Sequence, residues 1–260
     1  MCLIALAWNV HPRYRLAMIA NRDEQHARPT APAGRDPDHG DVFGGRDLVQ
    51  GGGWLMVSSR GRMAAVTNVR VGLNPEIALL SRGALVRGFV SGDASAENYL
   101  HALAADAPHY GRFNLLAWDG STLAFATNHP RLATRILEPG IHAMSNGALD
   151  ATWPKGTHAT QALCSWLDSN PDEAANTADL FEALADTTQA PDALLPDTGL
   201  GIELERALSP PFLHGETYGT RCSTIVLATR DEITFIERRF GPNAVPAGET
   251  AALVSRLPLA

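Results

Sequence analysis

The chain opens with the segment MCLIALAWNVHPRYRLAMIANRDE, residues 1–24, and this segment decides the fold. Residues 3–10 and 14–20 are apolar runs of strand length, and the connection between them is short and contains Pro12. Two such runs with a short connection predict a β-hairpin. Because the strands of a hairpin are antiparallel, the beginning of the first run lies beside the end of the second. The sequence therefore predicts that Cys2 is a neighbour of Arg22 and Asp23.

Most of the other strand signals come in pairs. Segments 54–68, 113–127 and 223–238 each contain two apolar runs joined by a turn, at Arg60-Gly61, Asp119-Gly120 and Arg230-Asp231-Glu232. An Asp-Gly pair between such runs is a strong hairpin signal. A further short strand is predicted over residues 141–145. Residues 25–53 are rich in Pro, Gly, Asp and Arg, which predicts a long loop.

Helical spacing of apolar residues occurs twice, over residues 76–106 and over residues 155–187, where Asn170-Pro171 predicts a break. Residues 188–217 are Pro-rich and predict irregular structure. The order along the chain is therefore strands, helices, strands, helices, strands. This order predicts an α+β fold whose antiparallel sheets carry helices on their faces. No internal repeat or linker interrupts it, so we expect a single domain over residues 1–260.

Composition excludes several classes of partner. The chain has 260 residues and a formal net charge of −7 at pH 7. An acidic balance argues against nucleic acid and anionic membrane surfaces as partners. The N-terminal apolar run has no basic residue before it and no small-residue cleavage site after it, and it is too short to span a bilayer. We therefore expect a cytoplasmic protein with no membrane span.

The cysteines and histidines show no metal-binding pattern. The three cysteines, Cys2, Cys164 and Cys222, form no Cys-x-x-Cys pair, and the nine histidines are scattered. This spacing argues against a disulfide framework and against a structural zinc site. We expect the protein to use neither a metal nor another cofactor.

Cys2 is a candidate catalytic residue because it directly follows Met1. Cysteine is small enough that methionine aminopeptidase usually removes a Met in front of it. The mature chain would then begin with a nucleophilic thiol and a free α-amino group whose reference pKa is about 7.7–8.0. Nucleophile and base would belong to one residue, as in enzymes with an N-terminal threonine. The alternative is that Cys2 is a small buried hydrophobic residue of the first strand.

Polar side chains at several strand ends could complete a site around Cys2. Arg22 could favour a thiolate or bind a carboxylate, and Asp23 could orient the α-amine. Asn68 and Asn146 each follow a strand, where an amide can donate a hydrogen bond to an oxyanion. Arg221 lies just before the last predicted hairpin, which begins at residue 223. The alternatives are ordinary turn asparagines and a surface salt bridge.

Nine separated motifs occur in order along nearly the whole chain: MCLIALAW, IANRDE, GGRDLVQGGGWLMV, RGRMAAVTNVR, SRGALVRGF, RFNLLAW, SNGALDATWPK, YGTRCSTIVL and IERRF. On these motifs the sequence resembles the family named after its Asn-Arg-Asp-Glu (NRDE) motif, also called the transport and Golgi organisation protein 2 family. More distantly, it resembles the N-terminal-nucleophile hydrolases of the choloylglycine hydrolase and penicillin V acylase group. The resemblance implies a four-layer α/β/β/α sandwich and cleavage of linear amide bonds through an acyl-enzyme.

The same resemblance implies roles for five residues, matched by position: the nucleophile, the aspartate after the second strand, two active-site asparagines and a late arginine. These are Cys2, Asp23, Asn68, Asn146 and Arg221.

One departure from the hydrolase pattern concerns the arginine of the second strand. The hydrolases place it three residues before the aspartate, where this chain has Ala20, whereas here Arg22 directly precedes Asp23. Adjacent residues of a strand point to opposite faces. Arg22 and Asp23 would therefore share a pocket only if the chain bends.

Two functions fit these observations. The first is an N-terminal-cysteine amidohydrolase or acyltransferase that acts on a small acylated amide or ester, with Arg22 and Trp54 in contact with the substrate. The second is a non-catalytic binding or carrier protein for a hydrophobic ligand, haem or a lipid or acyl chain, on the same fold. The unusual spacing of Arg22 and Asp23 favours the second function, in which Trp54 would line the ligand pocket.

Overall fold

Thirteen strands and five α-helices are found in the computed structural model, which describes residues 2–73, 78–169 and 176–257. The strands are β1 (Cys2–Trp8), β2 (Leu16–Gln25), β3 (Thr30–Arg35), β4 (Val42–Asp47), β5 (Gly53–Ser58), β6 (Arg62–Asn68), β7 (Phe113–Trp118), β8 (Leu123–Thr127), β9 (Ala133–Ile136), β10 (Gly140–Met144), β11 (Tyr218–Ala228), β12 (Glu232–Phe240) and β13 (Pro246–Ser255). The helices are α1 (Arg82–Ser91), α2 (Ala96–Ala102), α3 (Pro154–Ser169), α4 (Ala178–Leu184) and α5 (Ile202–Ala207).

The strands form two antiparallel sheets that stack face to face. The first sheet has the order β10-β1-β2-β11-β12-β13, and the second has the order β3-β4-β5-β6-β7-β8-β9. Apolar side chains of α3 and α4 cover the outer face of the first sheet, and those of α1 and α2 cover the outer face of the second. The layers are therefore α/β/β/α, which confirms the predicted α+β sandwich.

The N-terminal hairpin has the predicted geometry. Strand β1 pairs antiparallel with β2, and Cys2 lies opposite Arg22. On its other side β2 pairs with β11, so that Cys222 also lies opposite Arg22. Strand β2 therefore lies at the centre of the first sheet, and its end carries the NRDE motif into the interior of the protein.

Side-chain alternation along these strands separates two cores. Ile4, Met18 and Ala20 point into the core between the sheets, whereas Leu3 and Ile19 point into the core beneath α3 and α4. We call these the inner face and the outer face of the first sheet. By the same alternation Cys2 and Arg22 belong to the inner face, and Asp23 belongs to the outer face.

The sequence missed four strands, and three of them, β3, β9 and β13, lie at sheet edges. The predicted loop over residues 25–53 contains β3 and β4, and two further strands, β9 and β13, were not predicted. Edge strands bury little of their surface, so they lack a clear apolar alternation. Strand β3 also contains Pro32 and a register shift between Ala31 and Gly34. All four residues of β9 are exposed.

Helix boundaries differ from the predictions in smaller ways. The first helical segment begins at Arg82 and not near residue 76, and Leu79 is exposed instead of packed. The predicted break at Asn170-Pro171 lies outside the described residues. Helix α5 lies in the Pro-rich segment that was predicted to be irregular. None of the helices in the described part of the chain combines the length and apolar character that a bilayer crossing needs.

The glycine run before β5 brings α1 close to the end of the sheets. A Cβ atom on Gly52 would lie 2.3 Å from the carbonyl carbon of Gly83, in the first turn of α1. Only glycine permits this approach of two backbones. Ser81 caps the helix by accepting a hydrogen bond from the Gly83 N–H. The N-terminus of α1 is thereby held at the same end of the sandwich as Cys2.

Candidate active site

Cys2 opens onto a small pocket at one end of the sandwich. The pocket has a volume of about 200 Å³. Its walls come from the NRDE segment, the end of β6, the start of β5 and the first turn of α1: Cys2, Arg22, Asp23, Glu24, Arg28, Asp47, Gln50, Gly53, Trp54, Val66, Thr67, Asn68, Ser81, Arg82 and Gly83. Five of the seven site residues proposed from the sequence therefore lie at the pocket: Cys2, Arg22, Asp23, Trp54 and Asn68.

On the inner face, Arg22 lies between two thiols. Cys2 and Cys222 are its direct neighbours on the adjacent strands, and all three side chains are buried. The Arg22 guanidinium donates a hydrogen bond to Thr30 Oγ1 at 3.4 Å and lies 3.7 Å from Glu24 Oε2. Ala20 lies on the same face, two positions earlier. Arg22 therefore reaches the Cys2 side of the sheet although the hydrolase position is occupied by alanine.

On the outer face, Asp23 lies one residue beyond the Cys2–Arg22 pair, beside the beginning of β1. Its Oδ1 accepts a hydrogen bond from Thr220 Oγ1 at 2.7 Å, and its backbone carbonyl accepts one from the Tyr218 hydroxyl at 3.2 Å. The backbone N–H of Asp23 hydrogen-bonds the Cys2 thiol. Arg22 and Asp23 thus point to opposite faces, as predicted, but both border the pocket, which lies where β1 begins.

The two asparagines have different positions. Asn68 borders the pocket, whereas the described residues of the pocket wall do not include Asn146, which is fully buried. Asn146 Nδ2 donates to both the carbonyl oxygen and the side-chain Oδ1 of Asn68, each at 3.0 Å. Since Oδ1 of Asn68 is held by Asn146, its Nδ2 is directed away from Asn146. Of the two asparagines, Asn68 is therefore the one that can present an amide donor to the pocket, and Asn146 holds its side chain.

Two side-chain hydrogen bonds connect Cys2 to the end of β6, which carries Asn68. Ser145 Oγ donates to the Cys2 carbonyl at 2.8 Å, and Thr67 Oγ1 donates to the Ser145 carbonyl at 2.5 Å. These two bonds join β1, β6 and the segment after β10. The first sheet, which carries the thiol, and the second sheet, which carries the amide, are therefore held in register at this end.

Arg221 is located differently from the sequence-based expectation. It is the extra residue of a bulge in β11, between Thr220 and Cys222. Its Nη1 donates to the backbone carbonyls of Gln25, His26 and Arg28, at 2.9, 3.2 and 3.1 Å. The described residues of the pocket wall do not include it. The structure therefore gives Arg221 the task of closing the turn after the NRDE motif.

Burial governs the protonation of the catalytic candidates. It raises the pKa of the Cys2 thiol above its ordinary value, and the nearby Arg22 only partly opposes this effect. Burial also raises the pKa of Asp23, against the hydrogen bond from Thr220 and the positive charge of Lys155. The resting thiol is thus protonated at neutral pH. Arg22 nevertheless acts in the direction predicted for it, because its positive charge lowers the pKa of the thiol, and its role at the site stays a prediction.

Sequence reasoning missed two residues around the motif. Asn21 is fully buried, and it donates to the carbonyls of Leu184 and Pro211 and accepts from Ser223. It ties the motif strand to the layer of helices. Lys155, in the first turn of α3, is also buried. The sequence carried a signal for it, because Lys155 is the only lysine in the chain.

Comparisons with known proteins agree with this architecture. The family model described as Transport and Golgi organisation 2 matches residues 1–242. The Transport and Golgi organization protein 2 homologs of Bos taurus and Homo sapiens are 31% and 29% identical, over 92% of this chain and 92% of each relative. A penicillin V acylase from Agrobacterium tumefaciens has a similar fold, with a TM-score of 0.51 and 12% identity over 90% of this chain and 82% of the acylase. The chain belongs to the Transport and Golgi organisation 2 family.

Proposed function

We propose that the protein is an N-terminal-cysteine amidohydrolase or acyltransferase that acts on a small acylated amide or ester. One observation supports this above the others. The Cys2 thiol, the Asp23 carboxylate and the oriented amide of Asn68 meet at one pocket, although they come from β1, β2 and β6. These are the nucleophile, the group that orients the base and the oxyanion donor that acyl transfer requires.

The first step needs a base because burial keeps the thiol protonated. Removal of Met1 would supply that base as the α-amine of Cys2, whose reference pKa is about 7.7–8.0. Asp23 follows Arg22, the residue paired with Cys2, and would orient the amine. The amine takes the proton from Sγ while the sulfur attacks the carbonyl carbon of the substrate, so that the charge develops on the carbonyl oxygen.

The later steps use the same groups. Nδ2 of Asn68 donates a hydrogen bond to the oxyanion of the tetrahedral intermediate. The intermediate collapses to a thioester as the α-ammonium gives its proton to the leaving amine or alcohol. Water, or an acceptor amine, then attacks the thioester, and the proton it loses passes through the α-amine back to Sγ. The cycle consumes no other reactant and restores the free thiol.

The pocket constrains the substrate. A volume of about 200 Å³ accommodates a small acyl group or a short part of a larger molecule. Its walls carry both charges: Arg28 forms an ion pair with Asp47, Arg22 lies near Glu24, and Arg82 is a further cation. A substrate with a polar or charged group near its scissile bond would complement these walls better than a long alkyl chain.

The carrier alternative has its own supporting observation. A second cavity, of about 430 Å³, lies near the ends of β6 and β8 and has mainly apolar walls, among them Val69, Phe125, Pro130 and Leu149. A hydrophobic ligand such as haem or an acyl chain would suit this cavity better than the charged pocket at Cys2. The carrier function predicts tight binding there that is independent of the thiol.

The decisive experiment is intact-mass analysis of protein made without an N-terminal extension, before and after brief treatment with iodoacetamide. We expect a chain without Met1 and one fast, stoichiometric modification. This modification should disappear in Cys2→Ala and persist in Cys164→Ala, which serves as the matched control because Cys164 is partly exposed. A panel of short N-acyl amides and thioesters would then be screened for acyl-enzyme mass.

Two outcomes would contradict the proposal. One is retention of Met1, because the α-amine would then belong to another residue. The other is a Cys2 alkylation rate no faster than that of an ordinary exposed thiol at every pH. Stoichiometric binding of haem or a fatty acid by Cys2→Ala as well as by the unmodified sequence would instead support the carrier function.

A further inference from the structure

The lysine content of the chain points to a special site. Of 21 lysine and arginine residues, only Lys155 is a lysine. Its side chain is buried, with 3% of the residue exposed. Lysine is among the residues that proteins almost never bury completely unless it is paired. A chain that uses arginine for every other basic residue has therefore kept its one lysine in the interior, beside the candidate active site.

The surroundings of Lys155 destabilise the charged form of its side chain. The residue lies in the first turn of α3, where the helix dipole disfavours positive charge. Its Nζ lies 3.5 Å from the carbonyl oxygen of Leu208. Four charged or titratable groups act on it: Asp23 on β2, Cys2 on β1, Arg70 after β6 and Glu205 on α5.

Two of these groups neutralise each other. Arg70 Nη2 and Glu205 Oε2 form a buried ion pair at 2.7 Å. Glu205 Oε1 also accepts hydrogen bonds from the Thr198 N–H and hydroxyl. Asp23 and Cys2 remain as the groups whose negative forms favour the Lys155 ammonium. Lys155 is thus electrostatically coupled to the nucleophile and to the carboxylate that would orient its α-amine.

An arginine could not replace this lysine. A guanidinium has five N–H donors in a fixed plane and does not lose its proton in proteins. An ammonium is compact, and a buried lysine can become neutral. Burial lowers the pKa of Lys155 to about 8, close to the reference pKa of an α-amine. Asp23 lies on the outer face that α3 covers, and the charge of Lys155, in the first turn of α3, acts on its carboxylate.

We propose that Lys155 is a positioning residue that compensates the Asp23 carboxylate and so leaves the α-amine of Cys2 free to accept the thiol proton. The inference rests on the proposed function. An uncompensated carboxylate beside an α-amine favours the ammonium form, which cannot act as a base. A cation on the other side of the carboxylate removes this bias. Asp23 can then orient the amine without holding it protonated.

The experiment uses the fact that the sequence contains one lysine, so that the α-amine and Lys155 Nζ are the two amines to be distinguished. Competitive acylation at a series of pH values, read by mass spectrometry of the N-terminal peptide, gives the titration midpoint of the α-amine. In Lys155→Met we expect this midpoint to rise by about one pH unit, because an opposite or like charge within a few ångströms shifts a pKa by about 1–3 units. The pH profile of Cys2 alkylation should move in the same direction.

A double-mutant comparison tests whether Lys155 acts through Asp23. In an Asp23→Asn background, Lys155→Met should move the α-amine midpoint by less than about 0.3 pH unit, because the pKa of Lys155 falls without the carboxylate and its neutral side chain then exerts no charge on the amine. An equal shift with and without Asp23 would overturn the proposed route. An unchanged midpoint in folded Lys155→Met would overturn the proposal as a whole.

A second measurement does not depend on the folding of Lys155→Met. Protein labelled with ¹³C-lysine gives a single side-chain signal, whose pH titration reports Lys155 directly. We expect a midpoint near pH 8 that falls in Asp23→Asn; an ordinary midpoint that ignores Asp23 would contradict the proposal. Slow Cys2 alkylation, together with a Lys155 midpoint that depends on Asp23, would contradict only the proposed function. Failure of the proposed function and failure of the Lys155 proposal are therefore distinguishable.

Discussion

The two faces of β2 present different functional groups near its C-terminal end. On the inner face, Arg22 lies between the thiols of Cys2 and Cys222 in the space between the sheets. On the outer face, Asp23 is bonded to Thr220 and electrostatically coupled to Lys155 beneath α3. The sheet thus separates the nucleophilic side chain from the charges that would govern its base. The two groups meet only at the beginning of β1, where the thiol and the backbone nitrogen belong to one residue.

This separation has a physical advantage. A carboxylate on the same face as the thiol would oppose its ionisation directly, because like charges at short distance raise the pKa of the acid. On the opposite face, Asp23 still raises the pKa of the Cys2 thiol, but the backbone of the sheet lies between its carboxylate and Sγ. The comparison predicts that outer-face substitutions change proton transfer, whereas substitutions around the pocket change stabilisation of the oxyanion.

The largest effect is expected for Asp23→Asn. This substitution removes the charge that orients the α-amine and keeps the size of the side chain. We expect kcat to fall by about 10²–10⁴-fold, the usual contribution of a positioned general base, measured with an acyl amide found in the screen. Glu24→Gln is the matched control, since Glu24 is the next acid of the same motif and lies at the pocket edge. An equal loss in both variants would show that the outer-face position has no special role.

The next effect is expected for Asn68→Ala. Loss of one oxyanion donor should lower kcat by about 10²–10³-fold with little change in KM. Asn146→Ala should lower kcat by only about tenfold, because it leaves the donor in place and removes one orienting hydrogen bond, worth about 1 kcal/mol. Steady-state kinetics of both variants would test the order. A larger loss in Asn146→Ala would show that Asn146, and not Asn68, donates to the oxyanion.

The sequence alone predicted this site to the extent that it depends on strand pairing. The apolar runs around Pro12 predicted the hairpin, and the hairpin predicted that Cys2 and Arg22 are neighbours. Alternation along β2 then predicted that Arg22 and Asp23 point to opposite faces, as they do. Such properties follow from local geometry, which repeats every two residues.

Other features depended on contacts that no local pattern reports. The position of Asn146 depends on a hydrogen bond to Asn68, a residue far away in the sequence, so an asparagine expected to face the pocket instead holds the side chain of one that does. Arg221 resembled a catalytic arginine, but a bulge in β11 directs it to the turn at residues 25–28. Strand β13 was missed because it is an edge strand whose side chains are largely exposed.

Lys155→Met tests the outer face through stability. The folded-state pKa of Lys155, about 8, lies below the ordinary value of 10.5, so the unfolded chain binds more protons between these values. The free energy of unfolding should therefore rise with pH across this window. The shift corresponds to a cost of about 3 kcal/mol at pH 7. Urea titrations from pH 7 to 10.5 should show this rise in the unsubstituted protein and not in Lys155→Met; parallel curves would contradict the burial of a charged lysine.

The smallest effect on activity is expected for Arg221→Ala, which tests whether this arginine serves the chemistry or the turn. Its guanidinium holds three backbone carbonyls after the NRDE motif, and charged hydrogen bonds of this kind contribute about 1.5–3 kcal/mol. We expect the free energy of unfolding to fall by about 2 kcal/mol in urea titrations, while kcat changes by less than about threefold. A loss of kcat comparable to that of Asn68→Ala, with stability unchanged, would place Arg221 in contact with the reacting groups. Because the turn also carries Arg28 at the edge of the pocket, a modest rise in KM is compatible with the structural role, but a selective fall in kcat is not.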